Sequence, residues 1–245
     1  MTATPFPFAD FQTTRHALRI ALVEHREPFA LLTGDTGSGK TALLRELRLE
    51  LDRTRYRVLY FSEARKLGAA GLIKVLGEHL RVRPAMCHAV NFERVLRALA
   101  DEPQRLLVWL DESHELPEET LAEARALVES NLEFTPRVQI LLVGLPKLRA
   151  ELQTRPPLWR RITVRQELTG LHLEELPAFL EHHFCTARRE QLCELGLTAL
   201  FDRARGLPGL LLPMARALFA RFANVPGSTI DPRLIEDTLE RWELA

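Results

Sequence analysis

The chain has 245 residues, 46% of them hydrophobic, and its 33 basic and 33 acidic side chains give a formal net charge of zero. This length suits one core with a smaller attached domain, or two small domains, and a neutral chain does not by itself indicate nucleic-acid binding, although a local basic surface can still exist. No apolar run reaches the length of a membrane span, and the first residues lack the basic start and apolar stretch of a signal peptide, so we expect a cytoplasmic protein with no membrane partner.

Prolines mark the amino-terminal segment. Pro5 and Pro7 disfavour helix, so residues 5–11 are predicted to be extended. Thr13 or Thr14 is then expected to cap a helix over residues 15–24.

Short apolar runs alternate with helical patterns through the first two thirds of the chain. This alternation predicts a mainly parallel sheet flanked by helices, an α/β fold. The predicted strands are residues 29–33, 57–61, 105–110, 137–143 and 162–166, and the predicted helices between them are residues 42–52, 71–80, 91–100 and 118–129.

Strand patterns stop near Leu168, and only helical patterns follow. The predicted helices are residues 173–187, residues 197–203 continuing past a Gly-Leu-Pro-Gly segment into residues 210–222, and residues 232–242, with a loop at residues 224–228. We therefore expect an α/β core over residues 1–168 and a small all-helical lid over residues 169–245.

Three cysteines, Cys87, Cys185 and Cys193, show no metal-ligand spacing. A sparse, odd set predicts reduced thiols. Each is expected to be a buried apolar side chain.

A complete phosphate-binding motif follows the first predicted strand. Its residues are Gly34, Asp35, Thr36, Gly37, Ser38, Gly39, Lys40 and Thr41, which fit G-x-x-x-x-G-K-[ST] at every fixed position. The glycines allow backbone N–H groups to turn towards phosphate oxygens, and the next helix presents its positive end to the same anion. Lys40 is expected to reach the β- and γ-phosphates and Thr41 to bind Mg²⁺, so the motif predicts an ATP site.

Two acids follow the apolar strand at residues 105–110. Asp111 stands where a carboxylate holds Mg²⁺ through water, and Glu112 is placed to orient or deprotonate the attacking water. An acidic pair at a strand end is weak evidence alone, but it becomes strong with the phosphate-binding motif upstream. Together the two motifs predict an ATPase.

These motifs, with a helical lid after the core, resemble the AAA+ class of ATPases. Residues 111–116, 129–133, 140–148 and 160–162 are similar to the ExeA-like AAA+ ATPases. That group includes transposition regulators of the TnsC and TniB kind, with MuB as a more distant relative. The resemblance covers roughly residues 8–239.

The resemblance implies an arginine finger, Arg160 or Arg161, acting on ATP held by a neighbouring subunit. An ordinary solvated basic turn explains the same residues equally well. The family usually has a polar residue where this chain has Leu145, and often an arginine where it has Gly209. We therefore expect slow, assembly-dependent hydrolysis, with ATP serving mainly as an assembly switch.

The resemblance also implies a ring or filament of subunits around duplex DNA. Arg65, Lys66 and Lys74 are candidate contacts to DNA phosphate, although a solvated helix face explains each of them singly. Phe11 and Thr13 are candidate contacts to the adenine.

The leading functional hypothesis is a transposition regulator that recruits a transposase to a target with a target-selection protein. One alternative is an ExeA-type secretion ATPase. The other is an ATP-dependent protein scaffold or switch that binds no DNA.

Overall fold

The computed structural model describes residues 4–68, 70–130, 137–222 and 230–243, with side chains described as far as residue 240. The chain forms two compact units. The sheet unit comprises residues 14–34 and 44–167, and the helical unit comprises residues 1–13, 35–43 and 168–245. The predicted division at residue 168 follows the chain and stays a prediction. The predicted loop at residues 224–228 and the family-like residues 131–133 lie outside the described residues.

Five strands form one sheet in the order β2-β3-β4-β1-β5. They are β1 Phe29–Gly34, β2 Tyr56–Phe61, β3 Arg105–Leu110, β4 Val138–Gly144 and β5 Ile162–Leu168. The β1–β4, β3–β4 and β2–β3 pairs are parallel, with Thr33 opposite Gly144 and Leu110 opposite both Phe61 and Leu142. The five predicted strands are thereby confirmed, and the carboxyl ends of β1, β3 and β4 lie along one edge of the sheet.

The central strands are apolar because helices cover the sheet. Every residue of β1 and β4 is buried. Gln139, the polar exception in β4, donates from Nε2 to the carbonyl oxygens of Leu22 at 3.0 Å and Glu27 at 2.9 Å, which offsets much of the cost of burying its amide.

Helices begin and end close to their predicted positions across most of the chain. Up to β5 they are α1 Ala9–Arg19, α2 Lys40–Glu50, α3 Gly71–His79, α4 His88–Asp101, α5 Glu118–Glu129, α6 Pro146–Gln153 and α7 Pro156–Trp159. The short helices α6 and α7 were not predicted. Each begins with proline at its first position, where the missing N–H costs nothing.

The prediction for the amino-terminal segment holds for residues 5–8 and for a helix over residues 15–24, but it is wrong about where the helix begins and what caps it. Helix α1 begins at Ala9, and a π-helical turn, Ile20–Glu24, follows it. The N–H of Ala9 donates to Glu175 Oε1 at 2.7 Å. An acceptor 166 positions away therefore satisfies the free end of the helix, so neither Thr13 nor Thr14 caps it.

The helical unit contains the remaining helices, α8 Leu176–His183, α9 Thr186–Arg189, α10 Glu194–Ala204, α11 Pro208–Arg221 and α12 Pro232–Glu243. The predicted helix at residues 173–187 is interrupted at Phe184 and Cys185. Between α10 and α11 the chain turns through Arg205 and Gly206, with φ of 52° and 66°. These left-handed residues end α10 and allow α11 to start in a new direction.

The three cysteines are less buried than the sequence predicts. Cys87 and Cys185 are exposed and Cys193 is half-buried, so the expectation of buried cysteines is wrong. The Cys193 sulfur instead accepts from the N–H of Gly196 at 3.3 Å, where it caps α10.

Within the described ranges, every helix is too short or too polar to cross a membrane.

Candidate functional site

The loop between β1 and α2 has the backbone that the phosphate-binding motif requires. Gly37 and Gly39 have φ of 86° and 106°, a region that side chains disfavour. The two glycines direct the chain into α2, whose first turn closes with the N–H of Leu43 donating to Gly39 O at 2.9 Å. The loop thus ends in a helix N-terminus, whose positive dipole end is suited to an anion.

Two polar side chains of this loop fit a phosphate ligand. Lys40 is 9% exposed, and its Nζ donates to the carbonyl oxygen of Asp35 at 2.9 Å, so the ammonium lies across its own loop. The Ser38 hydroxyl is buried and has no hydrogen-bond partner among the described residues. A buried polar group left unpaired costs about 1–3 kcal/mol, which an anionic oxygen can offset. Thr41 is exposed at the start of α2.

The first turn of α11 rests on this loop. Gly209 donates its N–H to Gly37 O at 2.8 Å. A Cβ atom added to Gly209 would lie 2.6 Å from Gly37 Cα. Only glycine therefore fits at position 209, where the family often has an arginine.

Asp111 is held by two hydrogen bonds in the sheet unit. Its Oδ2 accepts from the Tyr60 hydroxyl at 2.6 Å, and its Oδ1 accepts from the N–H of Glu112 at 3.0 Å. The side chain is therefore fixed in orientation although Asp111 is only 5% exposed. Burial, then the hydrogen bond to Asp111 and its negative charge, raises the pKa of Tyr60 above its ordinary value, so Tyr60 remains a donor at neutral pH.

Glu112 and His114 form the second part of this acidic group. Glu112 has a left-handed backbone, φ 53°, and a half-exposed side chain. The His114 side chain is 5% exposed; its Nδ1 accepts the N–H of Leu145, with 3.4 Å between the two nitrogens, and lies 3.5 Å from Glu112 Oε2. A Cβ on Gly144 would lie 3.1 Å from the same nitrogen, so glycine at the end of β4 makes room for the imidazole.

The two arginine-finger candidates differ in their contacts. Arg161 is tied within its own chain, by an ion pair with Glu129 at 2.6 Å and a hydrogen bond to Pro157 O at 2.8 Å. Arg160 is exposed at the end of α7, and its side chain contacts none of the polar groups that the structure describes. Arg160 is therefore the one available to another molecule.

The three basic DNA candidates are spread over neighbouring elements. Arg65 pairs with Glu115 at 3.4 Å, and Lys66 pairs with Glu63, which lies just before it in the chain. Lys74 is exposed on α3. Two of the three charges are thus partly neutralised inside the protein.

The adenine candidates differ in exposure. Phe11 is 2% exposed, and its ring centroid lies 5.5 Å from that of Phe8. Its Cδ2 is 4.0 Å from the position of a Cβ on Gly39, so the ring packs under the phosphate-binding loop. Thr13 is exposed on α1.

Tyr60 and His114 are the site residues that sequence reasoning missed. Tyr60 lies on the strand beside Asp111, and only strand register brings the two together. His114 stands two residues after Glu112, but nothing local indicates that a short 3₁₀ turn directs its ring towards Leu145.

Comparison with known families identifies the class of protein. The model for the AAA domain matches residues 23–152, more than half of the chain, so the chain belongs to that family.

A curated relative refines this assignment. The chain is 30% identical over 209 residues to general secretion pathway protein A of Aeromonas hydrophila, a match that covers 80% of this chain and 37% of the relative. The chain thus spans well under half of that relative's length. These matches support an ExeA-like AAA+ ATPase.

Solved structures agree on the fold. Cdc6p from Pyrobaculum aerophilum has a TM-score of 0.70 and 16% identity, over 98% of this chain and 69% of that one. The ORC1 protein of Aeropyrum pernix, solved in complex with DNA, has a TM-score of 0.62 and 18% identity, over 98% and 66%. The Thermotoga maritima RuvB branch migration motor has a TM-score of 0.59 and 19% identity, over 94% and 67%. The chain has the P-loop AAA+ fold, with a five-stranded sheet and a helical carboxyl-terminal region.

Proposed function

We propose that this protein binds ATP with Mg²⁺ and hydrolyses it slowly, and that ATP binding drives its assembly. The observation that carries this proposal is the loop of residues 34–41, where Gly37 and Gly39 adopt positive φ and lead into the start of α2. Anion binding at such a loop needs only backbone N–H groups and one lysine, and both are present.

Each polar residue has a distinct task in this proposal. Lys40 exchanges its contact with Asp35 O for the β- and γ-phosphates. Thr41 and Asp111 hold Mg²⁺, which when bound supplies charge neutralisation at the phosphate oxygens. Glu112 orients the attacking water and accepts its proton, which the half-exposed position of its carboxylate permits.

Slow turnover is supported by the residues at positions 145 and 209, where the family often has polar or basic side chains. Leu145 has no polar side chain with which to position water, and Gly209 has no side chain with which to contact phosphate. His114, next to Glu112 and Leu145, is a polar group near the end of β4.

Hydrolysis depends on assembly if Arg160 acts on ATP in a neighbouring subunit. Its exposure, with Arg161 engaged by Glu129, supports Arg160 as the finger. An arginine supplied in trans raises the hydrolysis rate by about 10³–10⁵. The isolated subunit would therefore hold ATP and the assembled form would release it as ADP.

We extend the proposal to duplex DNA and to the regulation of transposition, in which the assembled protein recruits a transposase to its target with a target-selection protein. The family resemblance of residues 111–162 supports this role, and Orc1 in complex with DNA shares the fold. Contacts from Arg65, Lys66 and Lys74 would repeat along an oligomer, so a neutral subunit can still bind through many weak contacts.

A secretion ATPase is the second candidate function. The 30% identity to general secretion pathway protein A over 209 residues favours it. On this alternative ATP still drives assembly, but the partner is a protein and duplex DNA has no effect.

One binding experiment separates the two. Fluorescence anisotropy with labelled duplex DNA is measured with ATP, ADP or a non-hydrolysable ATP analogue over a salt series. The DNA proposal predicts binding only with ATP or the analogue, with no sequence preference and a steep loss of affinity as salt rises. If assembly and ATPase rate are the same with and without DNA, the DNA proposal is wrong and the secretion or scaffold role is favoured.

A further inference from the structure

Three arginines lie side by side at the edge of the sheet where the strands begin. Arg55 directly precedes β2, Arg105 opens β3 and Arg137 directly precedes β4. Their backbones are joined in register, since the N–H of Arg105 donates to Arg55 O and the N–H of Leu106 donates to Arg137 O, each at 2.8 Å. Neighbouring strands are about 4.8 Å apart, so three guanidinium groups start from adjacent positions. This arginine edge is opposite to the edge where Asp111 follows β3.

The arginine edge surrounds a surface cavity of about 300 Å³. Its lining consists of Thr54, Arg55, Pro103, Arg105 and Arg137. That volume is at the lower end of the range for small-molecule sites, and it is large enough for one or two phosphate groups.

The positive charges at this cavity are not neutralised by the described part of the chain. Arg137 Nη1 donates to a carbonyl, Glu102 O, at 2.9 Å, and Arg105 Nη1 is buried with no hydrogen-bond partner among the residues that the structure describes. No described carboxylate forms an ion pair with Arg55, Arg105 or Arg137. Hydrogen bonds from the hydroxyl and the N–H of Thr54 to Asp52 Oδ1 lower the pKa of Asp52, and the charge of Arg55 lowers it further.

Like charges gathered in this way destabilise the empty cavity. Burial lowers the pKa of the Arg105 guanidinium, and the charges of Arg26, Arg137 and Arg55 lower it further. The contrast with Arg65 and Lys66, which each have an acidic partner, is direct. An anion seated among the three guanidinium groups would remove this repulsion and satisfy Arg105 Nη1.

We propose that Arg55, Arg105 and Arg137 form a binding site for a phosphate group, separate from the ATP site. Guanidinium groups present paired N–H donors that match two oxygens of one phosphate, which a lysine cannot do. The phosphate belongs either to a free phosphate compound or to the backbone of a nucleic acid. The site does not depend on ATP binding or assembly.

Calorimetric titration with inorganic pyrophosphate tests the site. The titrations use protein carrying Lys40→Ala, so that the phosphate-binding loop does not dominate the signal, and constant ionic strength. We expect pyrophosphate to bind, and its affinity to fall at least tenfold when Arg55→Gln and Arg137→Gln are added. Lys147→Gln, which removes one charge beyond the other end of β4, is the matched control and should leave affinity unchanged.

The result that overturns the proposal is no binding, or equal binding by all three proteins. Arg105→Lys is a second variant, which keeps the positive charge but loses the paired N–H donors of the guanidinium. If the Arg105→Lys protein bound pyrophosphate as tightly as its parent, the proposed geometry would be contradicted.

A second arm identifies the source of the phosphate. Duplex DNA is added to the same Lys40→Ala protein, without ATP, as a competitor of pyrophosphate. Competition, with a salt dependence of DNA binding reduced by about one unit of slope for each arginine removed, assigns the site to a nucleic-acid backbone. Pyrophosphate binding that DNA does not displace assigns it to a free phosphate compound. Because neither arm contains ATP, failure of the proposed ATP-driven assembly leaves both readouts intact.

Discussion

Gly209 donates its backbone N–H to the carbonyl oxygen of Gly37 at 2.8 Å, and this contact joins the first turn of α11 to the phosphate-binding loop. No side chain fits between the two glycines, since a Cβ on Gly209 would approach Gly37 Cα to 2.6 Å. The lack of a phosphate-contacting arginine at position 209 is therefore a requirement of packing in this protein. The loop that binds ATP in our proposal is held in part by α11.

Gly209→Ala should disturb the loop. The added methyl group meets backbone, which cannot rotate away, so we expect ATP affinity to fall at least tenfold and the free energy of unfolding to decrease by about 1–3 kcal/mol. Gly77→Ala is the control, because its Cβ meets Val95 Cγ2 at an ordinary 3.6 Å. There the gain in helix propensity should stabilise by up to about 1 kcal/mol. Calorimetric ATP titration and denaturant unfolding measure both effects, and normal values for Gly209→Ala would contradict the contact.

Tyr60→Phe should weaken the use of Mg²⁺. Removing the hydroxyl leaves Asp111 Oδ2 without its donor, so the carboxylate is less well oriented. Loss of such a supporting bond costs about 10–100-fold in metal affinity or activity. We expect a higher Mg²⁺ concentration for half-maximal ATP hydrolysis, with nucleotide binding in the absence of Mg²⁺ unchanged. Tyr56 lies on the same strand as Tyr60, and its hydroxyl donates to Val23 O, so Tyr56→Phe removes a comparable hydrogen bond and should show no Mg²⁺ effect.

His114→Ala should slow hydrolysis without weakening ATP binding. The imidazole accepts the N–H of Leu145 at Nδ1 and lies beside Glu112 Oε2, so its removal opens space next to the glutamate and takes away the acceptor of that N–H. We expect turnover to fall about tenfold, less than the roughly 10²–10⁴-fold that loss of the proton acceptor itself would cost. Single-turnover kinetics measures this, and His79→Ala, at an exposed histidine of α3, is the control. Unchanged turnover by His114→Ala would show that the imidazole only fills space.

Arg160→Ala and Arg161→Ala should have different effects. Arg160 is free to reach another subunit, so its loss should abolish the rise in ATPase rate with protein concentration. Arg161 already pairs with Glu129, and its loss should cost at most about 1 kcal/mol of stability, as for a surface ion pair. ATPase rates over a concentration series distinguish the two. Equal behaviour of the two variants would remove the case for Arg160.

Much of the sheet and of the phosphate-binding loop could be predicted from sequence because their signals are local. The apolar run of β3 and the acids after it, or the glycines before Lys40, carry their meaning within a few residues. The start of α1 could not be predicted, since its cap is Glu175, far along the chain. Tyr60 with Asp111 and Gly37 with Gly209 depend on register and docking, which no local pattern encodes.

The burial of the cysteines could not be predicted from their residue type either. An apolar side chain is usually buried, but Cys193 caps a helix and Cys185 lies in the break between α8 and α9. Composition gave the general tendency and the surrounding backbone decided the outcome.

In our proposal ATP binding drives the subunits to assemble and hydrolysis lets them separate, and Glu112→Gln tests this most directly. Mass photometry follows the size distribution of wild type, Glu112→Gln and Lys40→Ala after ATP and Mg²⁺ are added. We expect Lys40→Ala to stay unassembled, wild type to assemble and then return as ATP is consumed, and Glu112→Gln to bind ATP and remain assembled. If Glu112→Gln binds ATP but does not assemble, ATP does not act as the switch.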